Sequence, residues 1–575
     1  GTNTIYAGSG IDLVTGGTGN DFIYGGSGTG YLRGGAGSDT IDGGSGNYVI
    51  YGDNGSFSRP ETIAVSGGNN TITGNSGFNI IFGGAGNDNI TGGSGQDLIF
   101  GDYGSVNGTS VLANSGTGGN DMINVGGNLN LALGGAGDDS ITAGTGFNNV
   151  LIGDTASVSL TADWFSAGLV STVSTNTSTA GNDTISVSAG SNFLLGGGGN
   201  DNITGGSGSD IIFGDHSSMV LNQTAGELIS FNTTNRSVGG DDTISGTAGY
   251  NLIVGGTGSD VITGGSSDDV IFGDLGAASI VASRAVRAWT IETGIGGNDT
   301  IHGDTGNDFL FGGRGDDQLH ADANSNILFG DHGLAVLNDG SSDEWNAWTT
   351  DPGTGGSDQL FAAAGLDILF GGFGNDSVTG GSGDDYIIGN SGRIERDGYN
   401  DINFMQSTDP SLGGNNTITV GGGNNSVIGG LGNDNITGGP ANDTLIGDNG
   451  SIGIQDGAYS VISTDVQFGG NDSISTGSGY NVVIAGSGDD SVTAGDTFSF
   501  IFTDNATVLR DASLTPYRGT SLVADSNAGI DNAEGGSGRA IIIGGTGNDT
   551  LSGGSNNSVI FGDSADVLFS GSTLT

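Results

Sequence analysis

Aspartate recurs in this 575-residue chain at a fixed position of a nine-residue pattern, G-x-D-x-U-x-G-G-x, where U is a large aliphatic residue. From Gly181 the chain reads GNDTISVSA, GSNFLLGGG, GNDNITGGS and GSDIIFGDH. Regularly spaced carboxylates could bind hard cations, or could act in pairs as glycosidase acids and bases. The chain has no Cys, and its four His (His216, His302, His320 and His332) are scattered. Thiolate, zinc and haem sites are therefore excluded, and oxygen-ligated metals remain.

Charge and composition narrow the class of protein further. Sixty-three acidic residues stand against 11 Arg and no Lys, which gives a formal net charge of −52. Nucleic acid is excluded as a partner by this charge. A compact fold with so much like charge repels itself, so we expect bound cations to favour folding. With 122 Gly the chain is either disordered or a strict repeat, and the unbroken phase of the nonapeptides indicates a repeat.

The nonapeptides group into larger blocks of four, each followed by a Gly-Asp step and an insert of variable length. An opening run of weaker nonapeptides comes before nine such blocks. The predicted boundaries are 1–67, 68–118, 119–180, 181–239, 240–296, 297–355, 356–413, 414–469, 470–528 and 529–575.

This pattern resembles the RTX, or haemolysin-type, calcium-binding repeat, as in large secreted bacterial adhesins and surface-layer proteins. The resemblance implies an all-β fold, a parallel β-roll or β-helix solenoid, in which two nonapeptides complete one coil. The physics agrees, because Gly supplies the positive φ of tight turns and each x-U-x strand buries one side chain. Stacked copies then share a core that no single copy could form.

In the family each calcium ion lies between turns at one edge of the roll, held by turn carbonyls and by the Asp of the G-x-D step. Turns 18 residues apart share an edge, so we expect the first and third turns of each block to stack carboxylate over carboxylate. These residues are Asp88, Asp121, Asp139, Asp183, Asp201, Asp242, Asp260, Asp299, Asp317, Asp358, Asp376, Asp434, Asp472, Asp490, Asp531 and Asp549, with Asn70 and Asn416 as exceptions. The Gly-Asp step is expected to close a second site at this edge, through Asp102, Asp154, Asp215, Asp274, Asp331, Asp448, Asp504 and Asp563.

The opposite edge departs from the family pattern because its second turns mostly carry Asn. Asn adds no charge as a ligand, and as a turn residue that tolerates the left-handed conformation it has an equally good structural explanation. The Asn residues are Asn79, Asn130, Asn192, Asn251, Asn425 and Asn481, and the weaker metal candidates are Asp97, Asp210, Asp269, Asp308, Asp367, Asp385 and Asp443.

Two strong sites in each block would hold about 18 calcium ions and offset most of the negative charge. Open sites of this type have affinities of roughly 0.1 to 1 mM, which match extracellular calcium. We therefore expect a bacterial protein that stays unfolded inside the cell, leaves by type I secretion and folds outside at the cell surface. The sequence has no long apolar run, so no membrane insertion is expected, and it opens inside a repeat, which suggests an excerpt of a longer protein.

Catalytic motifs are missing from the sequence, so we expect no enzyme. The favoured function is a structural or adhesive array such as a stalk, filament, surface layer or matrix component. Expected partners are calcium, neighbouring copies and cell-surface or matrix glycans. One alternative is the calcium-folding secretion module of a larger RTX enzyme or toxin. A remote one is an ice-binding surface, suggested by outward Thr and Ser such as Thr71, Thr73, Thr184 and Ser186.

The residue after U divides the strands into two kinds. It is apolar in second and fourth strands, as with Phe213 and Phe272, and polar in first and third strands, with Phe361 as the exception. An uncovered apolar sheet of this length would far exceed what monomers expose. We predict that each insert folds as a short hairpin over the apolar sheet through residues such as Trp164, Phe165, Ile280, Trp289, Trp345, Trp348, Ile454 and Val461, and leaves some apolar surface for neighbouring chains.

Overall fold

A computed structural model describes residues 1–55, 61–62, 67–113, 118–162, 170–175, 181–222, 227–233, 238–281, 284–291, 293–336, 346–396, 402–455, 458–510, 516–522, 529–570 and 573–574. Over these ranges the chain forms strands and turns, and it contains no helix that could cross a membrane. The chain divides into two compact units, Gly1–Ala285 and Val286–Thr575. We describe each unit by itself.

Each nonapeptide forms one short strand, and strands two nonapeptides apart pair in parallel. In the first block Thr71, Ile72 and Thr73 lie beside Asn89, Ile90 and Thr91. The U residues Ile72 and Ile90 are fully buried between the two sheets of the coil. This register confirms the predicted all-β parallel roll in both units.

First and third strands form one sheet, which we call the open sheet because its outward side chains are largely exposed. In unit 1 its strands are Thr4–Gly8, Phe22–Gly26, Thr40–Asp42, Thr71–Thr73, Asn89–Thr91, Met122–Val125, Ser140–Ala143, Thr184–Val187, Asn202–Thr204, Thr243–Ser245 and Val261–Ser266. In unit 2 they are Thr300–Thr305, Gln318–Ala321, Gln359–Phe361, Ser377–Thr379, Thr417–Thr419, Asn435–Thr437, Ser473–Ser475, Ser491–Thr493, Asn532–Glu534 and Thr550–Ser552.

Second and fourth strands form the other sheet, which we call the covered sheet because both of its faces are buried over most of its length. In unit 1 its strands are Ile11–Thr18, Thr29–Ala36, Asn47–Tyr51, Asn79–Phe82, Asp97–Phe100, Leu131–Leu133, Val150–Ile152, Phe193–Gly197, Ile211–Asp215, Leu252–Val254 and Val270–Phe272. In unit 2 they are Phe309–Phe311, Ile327–Phe329, Ile368–Phe370, Tyr386–Ile388, Ser426–Ile428, Thr444–Ile446, Tyr480–Gly486, Phe498–Asp504, Arg539–Ile543 and Val559–Phe561.

The inserts supply antiparallel strands, which we call the hairpin layer. In unit 1 these are Glu61–Thr62, Gly104–Asn107, Ser110–Ala113, Ala156–Leu160, Val170–Thr175, Ser217–Asn222, Glu227–Thr233 and Gly276–Val281. Strand Arg284–Thr290 spans the boundary of the units. In unit 2 they are Gly333–Val336, Asn346–Thr349, Gly392–Arg396, Ile402–Ser407, Gly450–Gln455, Ala458–Ser463, Ala506–Arg510, Pro516–Ser521, Asp566–Ser570 and Thr573–Leu574.

The hairpin layer lies directly on the covered sheet. Phe231 of a hairpin meets Phe213 edge to face, with ring centroids 5.1 Å apart. Gly104 begins its hairpin so close to Phe100 that an added Cβ would overlap the ring. Phe213 and Phe272 are 1% and 0% exposed. The predicted covering hairpins are therefore confirmed, and Val461 is one of the fully buried contact residues. The prediction was wrong for Trp289, Trp348 and Ile454: side chains alternate along a strand, so the buried Ala288 and Ala347 leave the two Trp side chains on the outer face, and Ile454 is 55% exposed. Trp164, Phe165 and Trp345 lie outside the described residues.

Successive hairpins also pair with one another, which the sequence did not predict. Val111 of one hairpin lies beside Val158 of the next, and Val173 lies beside Met219 of the one after that. In unit 2 Met405 and Ile452 make the same kind of pair. The inserts therefore form continuous antiparallel sheets rather than separate covers: one contains the unit 1 strands from Glu61–Thr62 to Glu227–Thr233, and another contains the unit 2 strands from Gly333–Val336 to Thr573–Leu574.

Aromatic side chains stack in ladders between the covered sheet and the hairpin layer. Tyr51, Phe82 and Phe100 stack with centroids 5.2 and 4.6 Å apart. Phe311, Phe329 and Phe370 repeat the arrangement in unit 2, at 4.9 and 4.8 Å. Parallel in-register pairing places each ring over the next, so one ring position repeated along the sequence builds a continuous apolar layer.

Candidate metal centres: the aspartate columns

The Asp residues of first and third turns form one buried column along an edge of each unit. The main-chain N–H of each residue donates to Oδ1 of the Asp or Asn in the next coil. Asp121 donates to Asp139 at 2.7 Å, and Asp183 donates to Asp201 at the same distance. In unit 2 Asp472 donates to Asp490 at 2.7 Å. One carboxylate oxygen of each Asp is thus used to join neighbouring coils.

The second oxygen, Oδ2, is buried and makes no hydrogen bond in most of these residues. This holds for Asp21, Asp39, Asp88, Asp121, Asp139, Asp183, Asp201, Asp242, Asp317, Asp358, Asp376, Asp434, Asp472, Asp490 and Asp549. A buried, charged oxygen without a partner is strongly destabilising unless a cation or proton compensates it. The column therefore has a regular set of atoms suited to a cation.

Turn carbonyls lie beside these oxygens. A Cβ built on Gly101 would meet both Asp121 Oδ2 and the carbonyl oxygen of Gly134. A Cβ on Gly330 would meet Asp358 Oδ2 and the carbonyl oxygen of Gly371. Each glycine leaves a small space lined by oxygens from two coils, and calcium prefers such mixed carboxylate and carbonyl ligands. The residues present fit the ion.

Burial and mutual repulsion act on the carboxyl groups of the column. Burial raises the pKa of Asp121 to about 9, and the charge of Asp102 adds to the effect. The pKa of Asp139 rises to about 10 through burial and through repulsion from Asp121 and Asp183. Burial likewise raises the pKa of Asp201 to about 9, again with a contribution from Asp183. A divalent cation would relieve both causes at once.

No three His, Cys, Asp or Glu side chains converge on one point within the described ranges. A calcium ion at these turns would therefore take most of its ligands from main-chain oxygens. This agrees with the glycine-lined spaces, where each carboxylate oxygen has a turn carbonyl oxygen beside it.

The Asp of the Gly-Asp step lies at the same edge, but both of its oxygens accept main-chain hydrogen bonds. Asp102 Oδ1 accepts from Gly119 N at 3.1 Å, and Oδ2 accepts from Ala136 N at 2.7 Å. These donors belong to the first and third turns of the following block. Asp154, Asp215, Asp331 and Asp448 make the equivalent pairs. The step thus holds the two ends of each insert together.

The remaining Gly-Asp residues differ in burial. Asp274 is 3% exposed and Asp504 is equally buried, with Oδ2 accepting from Thr546. Asp563 is exposed and Asp549 is half-buried. The structure therefore places the predicted strong candidates at one edge of their unit, with the last two nearest to solvent.

On the opposite edge the Nδ2 atoms of Asn take the place that Asp Oδ2 atoms occupy in the column. Asn79 Nδ2 donates to the carbonyl oxygens of Gly74 and Gly77 at 3.2 and 3.1 Å, and to Asp97 Oδ1 at 3.0 Å. Asn251 Nδ2 donates to the carbonyl oxygens of Gly249 and Gly264 at 3.0 and 3.2 Å. The turn carbonyls are satisfied by hydrogen bonds, so they do not require a metal.

Two carboxylates on this edge, Asp210 and Asp443, are better compensated than those of the column. The Oδ2 atoms of Asp210 and Asp443 accept from their own turns, from Gly206 N at 3.0 Å and Gly439 N at 2.8 Å. Burial raises the pKa of Asp210 only to about 6, because hydrogen bonds from Gly206 and Asn192 lower it again. Asp97, Asp367 and Asp385 keep an unpartnered Oδ2. Asp269 and Asp308 are fully buried members of the same edge.

Three acidic residues of the opening run belong to the strong edge and were missed in the sequence. Asp21 and Asp39 are fully buried in the column, and Asp21 N donates to Asp39 Oδ1 at 2.7 Å. Asp53 accepts from Gly68 N and Ala85 N at 3.2 and 2.7 Å, as the other Gly-Asp residues do. The signal was present, because each follows Gly at the expected spacing.

A second ladder, also missed, runs beside the buried column at the residue that precedes each Asp. Asn200 N donates to Asn182 Oδ1 at 2.8 Å, and Asn433 N donates to Asn415 Oδ1 at 2.7 Å. These side chains are exposed. The frequent Asn-Asp pairs in the sequence are the signal, since Asn accepts this bond without adding charge.

The fold and these columns define an all-β roll of stacked nonapeptides with edges suited to hard cations. A family model described as the RTX calcium-binding nonapeptide repeat matches residues 1–32, 30–56, 65–99, 115–161, 177–212, 238–271, 251–280, 293–328, 352–387, 412–445, 468–498, 525–560 and 543–572. These matches cover more than half of the chain, which therefore belongs to the RTX calcium-binding repeat family. No curated protein matches the chain.

Proposed function

We propose that this chain is a non-catalytic, calcium-dependent extracellular repeat protein with a structural or adhesive role. The observation that carries the proposal is the column of buried Asp whose Oδ2 atoms face turn carbonyls without a hydrogen-bond partner. A chain with a net charge of −52 cannot keep these groups ionised in a compact fold without cations. Calcium at extracellular concentrations supplies them, so folding follows secretion.

The extent of the repeat supports a structural role over a secretion module. Blocks of coil and hairpin continue through both units, and the family match recurs from residue 1 to residue 572. A repeated unit of this kind presents a long regular surface for neighbouring copies or for glycans.

Calcium-dependent folding is the direct test. Circular dichroism of the full chain should show coil in chelator and β-structure in millimolar calcium, and the same concentration of magnesium should be much less effective because Mg²⁺ dehydrates reluctantly. A spectrum that chelator leaves unchanged would contradict the proposal. The proposal that the chain folds outside the cell needs a second test. The chain is exported by a type I secretion system, and its folding is then measured in the medium.

A further inference from the structure

The outer face of the hairpin layer differs between the two units. In unit 1 the outward residues of successive hairpins are mostly small hydroxyl residues, such as Ser157, Ser159, Ser174 and Ser218. In unit 2 one hairpin and the strand before it carry large aromatic, amide and charged side chains instead. Hairpins in unit 1 form the same antiparallel pairs with Ser and Thr at their outward positions. The large outward side chains of unit 2 are therefore not required for folding.

These side chains lie on three adjacent strands. Trp348 is the register partner of Arg393, and Arg393 is the partner of Gln406. Two residues along each strand, Asn346 pairs with Glu395, which pairs with Phe404. These two rows run across the three strands and bring six large aromatic, amide and charged side chains onto one surface patch.

The arginine is held in place by its neighbours. Its guanidinium lies over the Phe404 ring at 5.1 Å, donates to Gln406 Oε1 at 3.2 Å and lies 3.4 Å from Glu395 Oε1. The side chains of Arg393 and Glu395 remain 46% and 45% exposed, so their outer hydrogen-bonding atoms are accessible. Pre-organised polar groups lose little entropy when they bind a ligand.

A cavity of about 410 Å³ opens beside this patch. The cavity is half open to solvent, and Trp348, Asn346, Arg393 and Glu395 line it together with Thr408 and Asp409 of the following turn. Asp409 has a positive φ of 53°, an uncommon conformation for a residue other than Gly. An aromatic ring, an amide, two carboxylates and a guanidinium thus line one open space large enough for a sugar residue.

We propose that this cavity binds a neutral saccharide. The indole of Trp348 offers an apolar surface to the C–H face of a sugar ring, and Asn346, Arg393, Glu395 and Asp409 offer donors and acceptors to its hydroxyl groups. Arg393 is matched by two carboxylates in a chain of net charge −52, so sialylated, sulfated or uronic acid glycans are disfavoured. The inference rests on the proposed function, because it names the ligand of its adhesive role.

The test uses the full calcium-loaded chain on a printed array of neutral, sialylated and sulfated oligosaccharides. Binding to neutral glycans is expected, and Trp348→Ala and Arg393→Ala should each weaken it about tenfold. Arg287→Ala is the matched control, because Arg287 stacks over Trp289 at 5.4 Å outside the cavity and its loss should change nothing.

Three outcomes would overturn the saccharide site: no array binding by the folded wild type, binding only to anionic glycans, or neutral-glycan binding that Trp348→Ala leaves intact. Circular dichroism of each sample in calcium and in chelator distinguishes these results from failure of the proposed function. A chain that folds with calcium but ignores the array removes only the saccharide inference.

Discussion

At the scale of single residues, the difference between Asp and Asn divides the two edges of the roll. Both residues accept the main-chain N–H of the preceding coil through Oδ1, so both preserve the stack. Their second atoms differ, because Asp turns a bare oxygen toward the turn carbonyls and Asn turns an N–H donor toward them. The turn carbonyls of the Asp edge are therefore suited to a cation, whereas Asn satisfies the turn carbonyls of the Asn edge with hydrogen bonds.

Asp201→Asn should remove calcium without breaking the stack. The amide Oδ1 can still accept from Asp183 N, while the new Nδ2 can donate to the carbonyl of Gly214 that lies beside Asp201 Oδ2. Calcium counted by equilibrium dialysis should fall by one or two ions per chain, whereas Asn192→Ala on the opposite edge should leave the count unchanged. Equal losses in the two variants would contradict the assignment of the edges.

The reverse substitution, Asn to Asp, can be made at one place on the Asp edge. There the chain carries Asn416 at the first turn and Asn390 at the Gly-Asp step. Asn416 Nδ2 donates to Asn390 Oδ1 at 2.8 Å, and Asn390 Nδ2 donates to the carbonyl of Leu431 at 2.8 Å. We expect the double variant Asn390→Asp, Asn416→Asp to gain about one ion. An unchanged ion count in this variant would show that the amides are not what keeps calcium away.

At the scale of strands and hairpins, the covered sheet depends on the inserts for its burial. Its outward aromatic rings would be exposed along the whole unit without them. The hairpins in turn have no apolar core of their own, because each is a single pair of strands. Sheet and hairpin layer therefore stabilise each other.

Phe213→Ala should be far more costly than a change at the open sheet. Phe213 is 1% exposed and meets Phe231 of the hairpin, so truncation leaves a cavity and should cost about 3–5 kcal/mol. Thr204→Ala, on an outward position of the open sheet in the same block, should stay within about 0.5 kcal/mol. Urea unfolding in saturating calcium compares the two variants with the unmodified chain, and similar midpoints would mean that the hairpin does not cover Phe213 in solution.

The roll and its register could be predicted from the sequence because strand, turn and ligand positions all follow one short period. The inserts have no such phase, so the hydrogen bonds between successive hairpins could not be predicted. Val158 and its partner Val111 lie in different inserts, and neither sequence specifies the other. Of the candidate site, the aspartate columns followed from the period. Asp21, Asp39 and Asp53 keep the same spacing but were missed because they lie in the opening run, outside the nine blocks. The hydrogen bonds that Asp102 accepts from Gly119 N and Ala136 N could not be predicted, because they depend on backbone geometry and not on spacing.

At the scale of the whole molecule, the carboxyl groups of the columns link folding to pH as well as to calcium. Burial and repulsion raise the pKa of Asp88 to about 8, of Asp121 and Asp201 to about 9 and of Asp139 to about 10. A group whose pKa is raised by folding contributes stability below its unfolded pKa, near 4, and loses it as the pH rises through the folded value. Without calcium the fold should therefore weaken steadily from about pH 4 to pH 10.

In chelator we expect more β-structure and a higher urea midpoint at about pH 5.5 than at pH 8. In saturating calcium the order should reverse, because protons and calcium compete for the same carboxylates. Circular dichroism and urea titration at the two pH values, each with calcium and with chelator, measure all four states. A chelated chain that is as stable at pH 8 as at pH 5.5 would show that the columns are not buried in the metal-free state.

The pairing of hairpin with hairpin has a mechanical consequence. Neighbouring blocks are joined in two places: in the coils, by parallel strand pairs and by the carboxylate edge, and in the hairpin layer, by antiparallel strand pairs. If a pulling force removes an ion from one turn, the hydrogen bonds of the hairpin layer still join the two blocks, so we expect the coil to close again in register. Within each unit we therefore expect single turns to open and close reversibly under force, while the hairpin layer prevents the two blocks from separating.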